Sequence, residues 1–369
     1  MKAGILGSRG IPNNYGGFEQ FAESLATGLA EMGVDVWVYN SHTHPYKDKK
    51  WKSANLIHCY DPEDRMGTAG QFVYDFNCIM DSRRRNFDVI LQLGYTSSSV
   101  WHWLLPASTL IITNMDGLEW KRSKYSPRVQ KFLQYAEKLA VNHSHQLVAD
   151  SEAIAEYLIE RHQRNSHFIP YGAEIFTSPD ESILQQFGVE KSGYHLLIAR
   201  MQPDNHVEHI IKGVMNSDCE KPLLVVGNTA NTYGKQLRQT YSCKKIVFTG
   251  GLFDARILNN LRYFCDLYFH GHSAGGTNPS LLEAMAASAV ICAHNNPFNK
   301  AVLGENAFYF NNESDIALLI SNYGREAARQ DFIQSNLLKI KTKYSWKAVI
   351  QAYYDLFLLA MIEKKETKR

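Results

Sequence analysis

The chain has 369 residues, of which 45% are hydrophobic, and a formal net charge of +2 at pH 7. This length suits two domains better than one, and the hydrophobic content excludes a disordered chain. The small net charge gives no indication that nucleic acid is the main partner.

The six cysteines are scattered, with no CxxC pair and no histidine spacing typical of zinc sites. We interpret them as reduced thiols of a cytoplasmic protein that binds no metal ion. The chain opens directly on a predicted strand that is too short for the core of a signal peptide. No apolar run approaches about 20 residues, the length that a transmembrane helix needs.

The first elements predict a doubly wound α/β domain. Residues 2–7 are typical of a buried parallel strand, residues 18–32 repeat apolar side chains at helical spacing, and residues 34–39 form a second strand. Such a βαβ unit binds ligands at the carboxyl ends of its strands. Its first loop has no GxGxxG pattern, which argues against a dinucleotide-binding dehydrogenase.

The same alternation continues to the end of the chain. Further strands are predicted at residues 56–60, 88–91, 109–113, 146–149, 167–169, 194–200, 223–227, 246–250, 267–270 and 290–294. Helices are predicted at residues 71–84, 129–142, 152–161, 207–215, 254–263 and 280–287. The resulting domains are residues 1–172 and 173–344, followed by a long amphipathic helix in residues 345–369.

The stretch from 267 to 285 predicts a buried strand, a loop of small residues and a helix that begins at Pro279. The glycines of the loop let a ligand approach the backbone. We expect the helix to offer free N–H groups and its positive dipole end to a diphosphate. Glu283, predicted in the first turn, would accept hydrogen bonds from sugar hydroxyls. The alternative is an ordinary crossover with a solvated glutamate.

Arg200, at the predicted end of a strand, can bind a diphosphate through two N–H groups. Asn205 and His206 follow it. Because histidine titrates near neutrality, His206 either shares the charge of the diphosphate or simply begins the next helix. Asp116 follows another strand, at the edge where ligands bind. It is either a functional acid or a helix N-cap.

Six features occur in one order over nearly the whole chain: GGFE at 16–19, DGLEW at 116–120, IPYG at 169–172, Arg200, NPSLLEAMA at 278–286 and HNNPFN at 294–299. Together they resemble the signature of retaining glycosyltransferases with the GT-B fold. They are most similar to bacterial rhamnosyltransferases that build surface polysaccharides. The resemblance implies two Rossmann-like domains that face each other across a cleft. It also implies transfer from a nucleotide sugar without a metal ion.

The resemblance also implies a role for each candidate residue. Asp116 and Arg200 are catalytic, while Glu19, Tyr95 and Glu119 lie on the acceptor side. Leu252 and Phe253 serve the nucleobase. The donor site comprises Gly16, Gly17, Arg200, Asn205, His206, Leu252, His272, Gly275, Gly276, Thr277, Asn278, Ser280, Leu281 and Glu283.

Two positions depart from the family pattern. Gly275 replaces the first acid of a Glu-x7-Glu motif, and Asn205 replaces a lysine. The predicted donor is dTDP-L-rhamnose, and the predicted acceptor is a glycan on a polyprenyl diphosphate, or a soluble glycan, in capsule, O-antigen or exopolysaccharide synthesis. The alternatives are a transferase of another UDP- or GDP-linked sugar and a catalytically silent, glycan-binding subunit.

A run of basic residues follows Asp116. If the acceptor is lipid-linked, this run predicts peripheral contact with the anionic inner face of the plasma membrane; otherwise it is an ordinary solvated surface. Its members are Lys121, Arg122, Lys124, Arg128, Lys131 and Lys138.

Overall fold

Short apolar runs of the sequence become the buried strands of two sheets, one in each of two units. The computed structural model describes residues 1–14, 16–122, 125–252, 254–273, 276–322 and 326–367. Unit 1 comprises Met1–Tyr171 and Trp346–Arg369, and unit 2 comprises Gly172–Ser345.

Unit 1 has a sheet in the order β3-β4-β2-β1-β5-β6-β7-β8, in which all pairs are parallel except β3 with β4. The strands are β1 (Lys2–Leu6), β2 (Asp35–Ser41), β3 (Lys50–Trp51), β4 (Ala54–Cys59), β5 (Val89–Leu93), β6 (Leu110–Asn114), β7 (Gln146–Ala149) and β8 (His167–Phe168). The helices are α1 (Gly17–Glu31), α2 (Glu63–Met66), α3 (Gly70–Ser82), α4 (Pro127–His143) and α5 (Glu152–His162). The strand order reverses between β1 and β5, which makes this point the topological switch of the sheet.

Unit 2 has a wholly parallel sheet in the order β11-β10-β9-β12-β13-β14. The strands are β9 (His195–Ile198), β10 (Leu223–Val226), β11 (Ile246–Gly250), β12 (Leu267–His270), β13 (Ile291–His294) and β14 (Phe308–Phe310). The helices are α6 (Val207–Met215), α7 (Thr232–Tyr241), α8 (Ala255–Phe264), α9 (Pro279–Ala286), α10 (Pro297–Leu303), α11 (Glu313–Ser321) and α12 (Glu326–Thr342). Its switch point lies between β9 and β12. The prediction of two Rossmann-like sheets is confirmed.

Each unit has its own apolar core around its central strands. In unit 1, Leu6 and Ile90 pack with Tyr39 and Phe87, while the core of unit 2 includes Leu197, Val225 and Phe269 with helix residues such as Ile210 and Val214. Each fully buried side chain of this size stabilises the fold by about 1.5–3 kcal/mol. These cores fix the strand ends from which the candidate site residues project.

The last helix, α13 (Trp346–Thr367), belongs to unit 1. Its Tyr353 packs edge-on against Phe21 of α1, with 5.4 Å between ring centroids. The hydroxyl of Tyr353 accepts a hydrogen bond from the Asn114 side chain at 3.0 Å. Asn114 is the last residue of β6, so the helix is tied to the strand that precedes Asp116. Within the described ranges, no helix is long and apolar enough to cross a membrane.

Candidate functional site

In unit 2, hydrogen bonds join the loops after β9 and β12. His206 donates from Nδ1 to the Gly271 carbonyl at 2.8 Å, and Ser273 donates from its N–H and its hydroxyl to the Asp204 carbonyl at 3.1 and 2.8 Å. A Cβ atom on Gly271 would lie 2.0 Å from the Asn205 carbonyl oxygen, so this close approach requires glycine. The two loops therefore form one surface at the switch point, where open α/β sheets bind their ligands.

Arg200 lies in the loop after β9, with its side chain exposed. The predicted strand extends to Arg200, but the observed strand ends at Ile198 because the chain turns. The Arg200 carbonyl accepts from the Gln202 N–H and from the Asn205 side chain, each at 2.8 Å. In the described part of the chain, no carboxylate or other acceptor contacts its guanidinium. An exposed guanidinium in this position can bind an anion through two parallel hydrogen bonds.

Asn205 is only 4% exposed, and its side-chain amide is committed to the Arg200 carbonyl. It therefore braces the turn that presents Arg200. Asn205 can therefore influence anion binding only indirectly, by fixing the position of Arg200.

Helix α9 begins at Pro279, as predicted. Asn278 is its N-cap, and its Oδ1 accepts from the Ser280 N–H at 2.9 Å. The Leu281 N–H donates to the Asn278 carbonyl at 3.0 Å. The expectation of free N–H groups is therefore wrong for Ser280 and Leu281, and proline has none. What this turn offers an anion is the positive end of the helix dipole. Thr277, just before it, is buried.

Glu283 is the fifth residue of α9, so its predicted place in the first turn is wrong. One of its carboxylate oxygens accepts from Arg262 of α8 at 2.5 Å, and the Arg262 side chain is only 2% exposed. The same guanidinium lies 3.4 Å from the Ser280 hydroxyl, which is 2.7 Å from that of Tyr268. Glu283 therefore neutralises a buried cation, which would be costly to leave alone. Sequence reasoning missed Arg262 because no motif marks it.

His270, the last residue of β12, is fully buried and stacks on His272 at 4.5 Å. Neither of its ring nitrogens has a hydrogen-bond partner in the described ranges. Burial, with smaller effects of His272 and Arg262, holds the pKa of His270 well below its usual value. The ring is therefore neutral beneath the loop that contains Gly271.

A second imidazole pair joins the two loops to β13. His206 stacks on His294 with 3.9 Å between ring centroids. Burial, followed by the charges of His206 and His209, lowers the pKa of His294 to about 4. Because the N–H at Nδ1 of His206 donates to the Gly271 carbonyl, the nitrogen left to a ligand is Nε2. It makes no hydrogen bond to the described residues.

The loop after β13 supports this surface. The His272 carbonyl accepts from the side chains of Asn296 and Asn299, at 3.0 and 3.1 Å. Asn299 also donates to the His294 carbonyl at 2.9 Å. The HNNPFN motif, to which sequence reasoning gave no site role, thus holds the position of His272.

Of the remaining donor candidates, Leu252 lies apart from these loops, Gly276 lies within the loop after β12, and Gly275 and Phe253 are not among the described residues. Leu252 is half-buried after β11, which β10 separates from β9, so the strand order does not bring it to the switch point. Gly276 is half-buried in the loop before α9.

In unit 1, Gly16 precedes α1 and Gly17 is its first residue. Glu19, in the first turn of α1, is 3% exposed and accepts from the Arg9 N–H at 2.8 Å. The carboxylate thus holds the loop between β1 and α1.

The other acceptor-side candidates are also engaged within unit 1. Tyr95 is 2% exposed and donates from its hydroxyl to Glu137 at 3.3 Å. Glu119 pairs with Arg122 at 2.6 Å and accepts from the Tyr125 hydroxyl at 3.3 Å. Both side chains therefore already have partners in the protein.

Glu137 of α4 is a hub that sequence reasoning missed. It is 1% exposed, and its carboxylate accepts from Trp120 at 3.2 Å, Tyr157 at 2.7 Å and His162 at 2.8 Å, as well as from Tyr95. It thereby ties the DGLEW segment to α4 and α5. An acid inside an amphipathic helix gives no sequence signal of such a role.

Asp116 follows β6 in a left-handed conformation, with φ of 51°, and its N–H donates to the Asn114 side chain at 2.9 Å. The next helical turn begins at Glu119, with Leu118 in the N-cap position. The alternative that Asp116 caps a helix is therefore wrong. In the described residues, no group of three or more His, Cys, Asp or Glu could hold a metal ion.

The two units together match solved structures with the GT-B fold of glycosyltransferases. Sucrose-phosphate synthase from Thermosynechococcus elongatus aligns with a TM-score of 0.78 and 16% identity, over 97% of this chain and 99% of that chain. HepE from Anabaena, solved with UDP and glucose, aligns with a TM-score of 0.75 and 17% identity, over 96% and 98% of the two chains. WaaG, a glycosyltransferase involved in lipopolysaccharide biosynthesis, aligns with a TM-score of 0.71 and 14% identity, over 97% and 99%. The chain therefore has the GT-B fold.

By sequence, residues 2–174 match a family described as a domain of unknown function, DUF1972. No curated protein matches the chain by sequence. At the identities of the structural matches, the likeness shows the fold, and the assignment of an activity depends on the site.

Proposed function

We propose that the chain is a retaining glycosyltransferase whose unit 2 binds a nucleoside diphosphate sugar. The exposed, unpaired guanidinium of Arg200 at the switch point carries this proposal. It lies in the loop that is bonded to the loop after β12. Among the glycosyltransferases with the same fold, HepE was solved with UDP-glucose, which supports a nucleotide sugar as the ligand.

In the proposed reaction, the bond between the anomeric carbon and the diphosphate breaks, and a bond to the acceptor oxygen forms on the same face of the sugar. The acceptor proton passes to the departing diphosphate oxygen. Arg200 and the dipole of α9 stabilise the negative charge that develops on the leaving group. His206, when protonated, adds a donor through Nε2. Asp116 stabilises the positive charge that builds at the anomeric carbon.

Donor recognition is proposed to use the remaining residues of unit 2. Glu283 keeps a 24% exposed side chain while it pairs with Arg262, so it can also accept from a sugar hydroxyl. Thr277, Asn278, Ser280 and Leu281 hold the loop and the start of α9 against the diphosphate. Leu252 contacts the nucleobase.

The proposed donor is dTDP-L-rhamnose, and the proposed acceptor is a glycan on a polyprenyl diphosphate in surface polysaccharide synthesis. The rhamnosyltransferase-like DGLEW and GGTNPSLLEAM segments support this choice. Glycine at position 275 removes a carboxylate that would accept hydrogen bonds from sugar hydroxyls, which changes the hydroxyl pattern that the site selects. The basic residues that follow Asp116 support peripheral contact with the membrane that carries such an acceptor.

Thermal shifts against dTDP-, UDP- and GDP-sugars test the proposal. A ligand at 100 times its Kd stabilises the folded chain by about 2.7 kcal/mol, so the true donor should raise the unfolding temperature. Turnover is then measured with each stabilising donor and a polyprenyl diphosphate glycan. Transfer from a UDP- or GDP-sugar, but none from dTDP-L-rhamnose, would overturn the donor alone. No stabilisation by any nucleotide sugar would overturn the function.

A further inference from the structure

Helix α4 of unit 1 turns apolar side chains towards solvent. Val129 is 39% exposed, Phe132 is 36% exposed and Tyr135 is 58% exposed. Residues three and four apart share one face of a helix, so Phe132 and Tyr135 are neighbours on its surface. Large aromatic side chains in such a position leave apolar area in water, which is unfavourable unless a partner covers it.

The same face carries three exposed cations, Arg128, Lys131 and Lys138. None of them forms an ion pair within the described residues. The one acid of α4 is Glu137, which is buried and bonded to groups of unit 1. The outward side of the helix therefore has positive charge only.

Neighbouring elements extend the apolar part of this surface. The ring of Phe72, at the start of α3, lies 5.7 Å from that of Phe132. The 3₁₀ turn Ser99–Leu104 is joined to the end of α4 by the stack of His102 on His143, at 3.7 Å. That turn carries Trp103, which is 66% exposed.

We propose that the α4 face, defined by Arg128, Val129, Lys131, Phe132, Tyr135 and Lys138, binds an anionic lipid bilayer. The aromatic rings enter the boundary between headgroups and acyl chains, while the flexible basic side chains keep their charges at the phosphates. Each cation near an anionic surface adds to the attraction. This inference makes the proposed peripheral contact specific, and it depends on unit 1 alone and not on the transferase activity.

Charge complementarity distinguishes this face from the other exposed apolar face of unit 1. Helix α13 exposes Leu358, Leu359 and Ile362, by 39%, 41% and 54%. Asp355, Glu363 and Glu366 lie on the same helix together with Lys364 and Lys365, so this helix, unlike the outward side of α4, carries acids that anionic headgroups would repel. The α13 face therefore provides an internal control.

The test is sedimentation of the full chain with vesicles of phosphatidylcholine alone, or of phosphatidylcholine and phosphatidylglycerol in equal parts. We expect binding to the vesicles that contain phosphatidylglycerol. Raising the salt from about 0.1 M to about 1 M shortens the Debye length from about 10 Å to about 3 Å, and should weaken this binding strongly. Equal binding to both kinds of vesicle, or to neither, would overturn the proposal.

Variants then identify the surface. Lys131→Gln and Lys138→Gln should each lower the vesicle partition coefficient about fivefold, and Phe132→Ser should lower it further. The matched control is Leu358→Ser on α13, which removes a comparably exposed apolar side chain and should leave binding unchanged. If the α4 and α13 variants lose binding equally, or none does, the α4 face is not the membrane-binding surface.

Two further measurements separate membrane binding from the proposed transferase activity and from dimer formation through the α4 face. Phe132→Ser should leave turnover with a soluble acceptor unchanged, so a failure of the proposed transferase activity would not affect the vesicle result. Size-exclusion chromatography should show the same elution volume for Phe132→Ser and the unmodified chain. A dimer that dissociates in the variant would show that a second copy covers the α4 face, and would overturn the proposal.

Discussion

The two units share one strand order around their first strands, yet they use the charged residues that follow their strands differently. In unit 1, Glu19 and Glu119 accept hydrogen bonds from the protein itself. In unit 2, the guanidinium of Arg200 and Nε2 of His206 have no partner among the described residues. The same topology therefore presents acids that already have partners in one unit, and an arginine and a ring nitrogen without a described partner in the other. This contrast supports the proposal that unit 2 binds the anion, whereas the acids of unit 1 hold its loops.

The strongest test of this contrast is Arg200→Ala. Removal of a donor that stabilises developing charge typically lowers turnover by about 10²–10³-fold. Because Arg200 is exposed and unpaired, its loss should leave the unfolding temperature unchanged. Steady-state turnover with the identified donor and a thermal melt together measure the two effects.

Arg238→Ala is the matched control, because Arg238 is also exposed in unit 2 but lies on α7. It should alter neither turnover nor stability. Near-normal turnover in Arg200→Ala would place the diphosphate elsewhere and remove the contrast between the units.

Glu283→Gln tests this contrast within unit 2, because Glu283 is an acid of that unit that pairs with a side chain of the protein, Arg262. When Glu283 loses its charge, Arg262 becomes a buried cation without a compensating anion. The loss of stability should be about 3 kcal/mol, at the low end for a broken buried pair because the Glu283 side chain is 24% exposed. Urea unfolding measures this loss, and a separate titration measures donor affinity.

The double variant Arg262→Met, Glu283→Met is the control for Glu283. Replacement of both charges by apolar side chains of similar length should recover much of the lost stability. A Glu283→Gln protein with unchanged stability and weaker donor binding would show that the carboxylate serves the ligand and not Arg262.

These contrasts indicate what the sequence could predict. Buried parallel strands are short apolar runs, so residues 146–149, 246–250 and 267–270 were predicted with their observed bounds. Helix α7 was not predicted because only Gly234 and Leu237 of it are buried. The loops with Arg200 and Asn278 were found from motifs. The sequence did not predict the partners of the charged groups. The pairing of Arg262 with Glu283, for example, spans 21 residues and depends on how two helices pack.

The pKa of Asp75 on α3 of unit 1 predicts a pH dependence of stability that is opposite to the one predicted by the pKa of His294 in unit 2. Burial raises its pKa to about 6, against smaller lowering effects of the Ser97 hydroxyl and Arg9. An unfolded aspartate has a pKa of about 3.9, so the folded state binds more protons between about pH 4 and 6. This term therefore lowers the free energy of unfolding as pH rises through that window, by about 2–3 kcal/mol.

The pKa of His294, lowered to about 4, has the opposite effect, because stability is lost as pH falls from about 6.5 towards 4. Asp75→Asn keeps an acceptor for Ser97, which is 2.5 Å away. It should be more stable than the unmodified chain near neutral pH and lose this advantage near pH 4. Glu31→Gln, an exposed acid of α1, is the control. An equal change at both pH values would contradict the assignment.

Glu19→Gln should cost about 1 kcal/mol of stability, because a neutral amide accepts more weakly from the Arg9 N–H. Donor affinity should not change, since unit 2 provides the proposed donor contacts. A urea titration and a donor titration give the two values. If Glu19→Gln binds the donor more weakly but is as stable as the unmodified chain, then Glu19 contacts the ligand, and the contrast between the units is weaker.

The smallest predicted effect is the contribution of His206 to turnover. Its ring faces His209 on its own helix, His294 on β13 and the Gly271 carbonyl after β12, with Asp204 in the same loop. Because Nδ1 donates to the Gly271 carbonyl, a ring that carries both protons donates to the leaving diphosphate through Nε2. His206→Asn keeps the left-handed conformation, with φ of 49°, which asparagine tolerates. The variant should be about tenfold slower than the unmodified chain, which corresponds to the loss of one charge-assisted hydrogen bond. His209→Asn, which replaces an exposed ring on the same helix, should retain the turnover of the unmodified chain. Equal turnover in the unmodified chain and in His206→Asn would show that His206 only begins α6, and would leave Arg200 and the dipole of α9 as the sources of positive charge.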